Sequence, residues 1–113
     1  MKDGFQTDSV WLCAVLCYTY TFDALLEISI TTGEGKKITD FFLDIPSLDA
    51  AEIDLELKEG RLQISDCNAL IKNYSRVTGL LKQLHREGRQ SWKSHAYQEA
   101  WIAGRHADGR RIN

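Results

Sequence analysis

Residues 25–45 read LLEISITTGEGKKITDFFLDI, and this stretch decides the fold. Leu26, Ile28 and Ile30 alternate with Glu27 and Ser29, the period of two that marks a half-buried strand. Thr32-Gly33-Glu34-Gly35-Lys36 follows, with glycines that can take positive φ, and Ile38 to Ile45 reads as the returning strand. Phe41, Leu43 and Ile45 share one face of that strand, while Ile38 and Phe42 lie on the other, so both sides are expected to be partly covered. A β-hairpin set among helical patterns defines an α+β domain.

On the C-terminal side the strongest periodicity is helical. Asp66 can cap a helix on which Cys67, Leu70, Tyr74, Val77, Leu81 and Leu84 form an apolar seam of nearly five turns. Lys72, Arg76, Lys82 and Arg86 fall on the opposite side, with Gly79 between them. The seam is too short to define a coiled coil and reads as core. A last helix is expected from about Ser91 to Ala103, with Trp92, Ala96 and Ala100 on one stripe and Tyr97 and Trp101 beside it. Residues 1–103 then form one domain, and 104–113 a flexible basic tail with too little apolar content to fold alone.

On the N-terminal side, Thr7, Asp8 or Ser9 can cap a helix from about Val10 to Tyr18 whose apolar residues surround nearly the whole cylinder, so it should be buried on most sides. Residues 47–60 admit two readings. Ile53, Leu55 and Leu57 alternate as in a second hairpin, whereas Ala50, Ala51, Glu52, Leu55 and Lys58 are helix formers between an N-cap candidate, Ser47, and a C-terminal glycine, Gly60. Helix is the favoured reading.

Composition bounds the function. The chain has 113 residues, 43% of them hydrophobic, with one proline and a net charge of −2, which describes one ordinary domain with no room for a large cofactor-binding fold. The balance conceals a split: residues 1–66 hold 13 acids against five bases, a net −8, and residues 67–113 hold nine bases against three acids, a net +6. Either the halves attract each other within the fold, or each faces a partner of opposite charge. Three cysteines without a CxxC pair argue against a disulfide framework and a structural zinc site, so a cytoplasmic setting is expected. The apolar run 10–18 is far shorter than the roughly 20 residues that span a bilayer, and no membrane partner is expected.

No nucleophile elbow, zinc-binding HExxH or phosphate-cradling loop is present, and neither metal nor cofactor is expected; a small hydrolase using Cys67 or His85 is the outlying reading. Phosphate binding needs clustered cations, and stacking on bases needs exposed aromatic rings. Lys82, Arg86, Arg89, Lys93, Arg105, Arg110 and Arg111 stand near Trp92 and Trp101 in the basic half, which makes these the candidate nucleic-acid contacts. The expected activity is therefore that of a small non-enzymatic protein attached to nucleic acid or to a nucleoprotein complex. The alternative rests on Asp49, Glu52, Asp54 and Glu56, which could imitate nucleic acid and occupy a basic groove on another protein, as an inhibitor of the anti-CRISPR kind does.

The succession of Thr7-Asp8-Ser9-Val10-Trp11-Leu12-Cys13-Ala14, the hairpin with Phe41-Phe42, Glu59-Gly60-Arg61-Leu62, and Asn68-Ala69-Leu70-Ile71-Lys72-Asn73-Tyr74 resembles a family of small prokaryotic and mobile-element domains of unknown function. The resemblance covers about residues 5–86. It implies a helix, a two-stranded hairpin, a short helix ending in glycine and a long helix, in a phage or mobile-element setting, and it carries no site. Cys13 and Cys17 replace small residues expected in its first helix.

Overall fold

The hairpin closes on Glu34 and Gly35, both at positive φ (52° and 79°), the two-residue turn whose twist matches that of its strands. The computed structural model describes residues 4–94. Its elements run β1 (Phe5–Thr7), α1 (Val10–Thr19), a 3₁₀ turn (Phe22–Ala24), β2 (Leu25–Gly33), β3 (Lys36–Leu43), α2 (Ser47–Lys58), α3 (Cys67–Glu87) and β4 (Ser91–Lys93). The strands form one antiparallel sheet in the order β1-β3-β2-β4, and with the three helices they make an α+β fold.

A bulge between Leu25 and Glu27 changes which side chains of β2 enter the core. The extra residue resets the alternation, so Leu25, Ile28 and Ile30 are buried and Leu26 is half-buried, where simple alternation puts Leu26 inside. Across from them Phe41 and Leu43 point inward from β3. On the other face Phe42 is half-buried and Ile38 exposed, so only the base of the hairpin is partly covered on both sides.

Ser9 caps α1, its hydroxyl accepting the Leu12 N–H at 3.1 Å. Leu12 to Cys17 are all buried, as expected of a helix apolar around its circumference. Trp11 stacks on Tyr74 of α3 with ring centroids 4.0 Å apart. At the other end of α1, the Tyr18 hydroxyl accepts the Asp66 N–H at 3.1 Å, so the two helices run in opposite directions. One core cluster joins Leu12, Leu16, Ile28, Phe41, Val77 and Leu84.

Residues 47–58 are helix, and the hairpin alternative for this stretch is absent. Ser47 does not cap it; Pro46 holds that place without a side-chain bond. Its end follows the sequence reading: Gly60 takes φ 73°, the Arg61 N–H donates to the Glu56 carbonyl at 2.9 Å, and the Gly60 N–H donates to that of Leu57 at 3.2 Å.

The expected last helix is corrected at its start. Ser91–Lys93 is a strand paired with β2, Trp92 opposite Ile28 and Lys93 opposite Glu27. Gly88, at φ 67°, ends α3 with the same pair of bonds as Gly60, and the chain turns straight into the sheet edge. The rest of that expected helix and the basic tail lie outside the described residues. Among the described residues, no helix is long and apolar enough to cross a membrane.

Candidate nucleic-acid interface

The basic face of α3 follows from how the helix is anchored. The Asp66 carboxylate accepts the Ala69 N–H at 3.0 Å and fixes the first turn. Val77 and Leu84 are buried, and Leu80 and Leu81 pack against the core. With that side held inward, Lys72, Arg76, Lys82 and Arg86 project from the opposite side, all exposed. The Arg76 guanidinium lies 3.7 Å from the centre of the Phe22 ring, a cation–π contact that orients it.

Among the described residues, the ion pairs fall mostly within each half of the charge split. Lys58–Asp54 (3.1 Å) and Arg61–Glu59 (2.6 Å) join neighbours within the acidic half, and Arg89–Glu87 (3.3 Å) neighbours within the basic half. Among the described residues only Lys93–Glu27, at 3.8 Å on the sheet, crosses between the halves. Lys72, Arg76, Lys82 and Arg86 take no part in any of these pairs.

The other expected contacts separate from this row. Arg89 turns toward the Glu87 carboxylate and the Ser91 carbonyl. The Glu87 carboxyl is held below its usual range by a hydrogen bond from Gln83 and then by Arg89. Trp92 packs half-buried against the core instead of offering a free stacking face, and Lys93 lies on the opposite face of the sheet beside Glu27. Trp101, Arg105, Arg110 and Arg111 lie outside the described residues.

The acidic candidates divide as well. Helical geometry puts Asp49, Glu52 and Glu56 on one flank of α2, while Asp54 lies on the other, paired with Lys58. Leu48, 83% exposed, and Leu55, 52% exposed, occupy the outward stripe beside them. Tyr20 stands near this flank; desolvation, then Asp49 and Glu52, raise its phenol above the ordinary value.

The thiols and histidine offer no constellation. Cys67 and His85 are separated by 18 residues of one helix, about 27 Å along its axis, and cannot act together on one atom. Cys13 and Cys17 are buried, and the hydrogen bond between them together with burial pushes the Cys13 thiol far up. Among the described residues, no group of three or more His, Cys, Asp or Glu could hold a metal ion.

The sequence reading missed the contact of Arg76 with Phe22, which is distant in sequence and carries no local mark. It also missed the exposed leucine stripe of α2, although Leu48 and Leu55 at a spacing of seven are its mark. No protein-family model matches the chain, and no curated protein or solved structure matches it significantly.

Proposed function

We propose that this chain is a non-enzymatic binding protein that attaches to nucleic acid, alone or within a nucleoprotein complex, through the cationic face of α3. The observation that carries this reading is that, among the described residues, no ion pair joins the cationic row to an acid of the first half. The acids of the first half are not paired with Lys72, Arg76, Lys82 or Arg86, which form a row along one exposed face. A phosphodiester chain laid on such a row releases its condensed counterions, a driving force that needs no contact to bases.

Fluorescence anisotropy with labelled DNA and RNA at about 50 mM salt tests it. The expected result is affinity that falls steeply as salt rises and is lost in the double variant Lys82→Glu, Arg86→Glu. Absence of affinity for every single- and double-stranded probe overturns it.

The outward stripe of α2 favours a second reading, an adaptor or inhibitor docking its acidic flank on a basic protein groove. Leu48 and Leu55 supply apolar anchors seven residues apart, and Asp49, Glu52 and Glu56 the charge. If the triple variant of those acids to Lys keeps every protein partner of the parent chain, this second reading is wrong.

A further inference from the structure

Gly79 sits in the middle of the cationic row, and among the described residues nothing requires a glycine there. It is exposed, lies in the interior of α3, is not among the residues with positive φ, and a Cβ built on it meets no atom within 4 Å. An interior helical glycine destabilises a helix relative to alanine, and here packing offers no return.

The four cations are placed symmetrically about it, Arg76 and Lys82 three residues away and Lys72 and Arg86 seven. Along the axis these offsets are ~4.5 Å and ~10.5 Å on either side. All four lie within about 120° of arc around the helix, so the row is a ridge of charge with a notch at its centre. A notch between two cations admits a convex anion, and absence of a side chain allows close approach to the helix backbone.

We infer that α3 is a saddle for the sugar-phosphate backbone of duplex DNA, one strand crossing the helix at Gly79 with Arg76 and Lys82 on either side of it. This rests on the reading under Proposed function and specifies its ligand. An outer cation at ~10.5 Å, extended by its own side chain, reaches the second strand across a major groove about 12 Å wide. A-form RNA, whose major groove is narrow, does not match that reach. Single strands are bound largely by stacking on free aromatic rings. Among the described residues, Trp92 packs against the core, Phe22 is covered by Arg76, and Trp11, half-exposed, gives one face to Tyr74.

The experiment compares the wild-type chain with Gly79→Ala and Gly79→Leu on a mixed-sequence duplex DNA, the matching single strand and the matching duplex RNA. Both variants are expected to fold, with Gly79→Ala melting about 4 °C higher. Gly79→Leu is expected to bind the DNA duplex about tenfold more weakly or worse. The wild-type salt slope on the DNA duplex should fall between about −3 and −4, as four phosphate contacts require.

Unchanged duplex affinity in both Gly79 variants overturns the saddle, as does binding of single strand or duplex RNA as tight as that of duplex DNA. When those results come with binding that Lys82→Glu, Arg86→Glu removes, only the saddle fails; loss of affinity for all probes removes the nucleic-acid reading with it.

Discussion

Cys13 and Cys17 sit one helical turn apart inside the core, where burial and their mutual hydrogen bond hold the Cys13 proton in place. In the unfolded chain that thiol ionises near its ordinary value of 9.0. Above that pH the unfolded state gives up a proton the folded state keeps, so stability is lost as pH rises. The expected slope steepens through about pH 9 and approaches about 1.4 kcal/mol per pH unit only near pH 10.5, read by urea unfolding between about pH 8.5 and 10.5, and Cys13→Ala removes it. At neutral pH a thiol reagent should label exposed Cys67 and spare the other two until the protein unfolds. Glu34 is the other residue with a local consequence, since it holds φ 52° in the hairpin turn. Asparagine tolerates that region better, and Glu34→Asn is expected to stabilise by roughly 0.5–1 kcal/mol, read as a higher urea midpoint.

Elements differ in how much of their cause is local. α3 was legible because cap, seam and terminal glycine all lie within the segment, from Asp66 to Gly88. α2 was ambiguous because alternating Ile53, Leu55 and Leu57 match a strand, yet only Ile53 packs on the core and Leu55 stays exposed. The helix is supported by composition and by the Gly60 ending. Gly60→Ala forces a methyl into left-handed backbone and should cost about 1 kcal/mol, visible as a lower melting temperature, although the added Cβ touches nothing. β1 and β4 were not legible. Each is three residues long, and each is made a strand by a partner far away in sequence, β3 for one and β2 for the other. The bulge at Leu26 is likewise set by pairing, which is why the alternation gave the wrong inward leucine. For the candidate site, the cations of α3 could be read from helical spacing; the burial of Trp92 could not, because it depends on β4 joining the sheet.

At the scale of the whole fold, ion pairs among the described residues contribute little to its stability. The four ion pairs of the described residues are exposed or half-exposed, three join close neighbours in sequence, and such pairs are each worth about 0–1 kcal/mol. Raising salt from about 50 to about 500 mM should therefore shift the melting temperature by no more than about 3 °C, while removing nucleic-acid affinity. A large loss of stability would mean that the two halves hold each other by charge after all.

The sheet also has uneven lengths. β1 pairs with β3 only at Phe41, Phe42 and Leu43, and β4 pairs with β2 only at Glu27, Ile28 and Ser29. Toward the tip, past Phe41 on β3 and past Ile30 on β2, whose N–H donates to the Gln90 carbonyl at 2.7 Å, the margins of the hairpin are uncovered among the described residues, a template that another chain's strand could extend. Charge at the tip opposes such extension, with Glu34, Lys36 and Lys37 exposed there. Two of the five bases in the acidic half, Lys36 and Lys37, thus place charge where an uncovered strand margin would otherwise invite pairing.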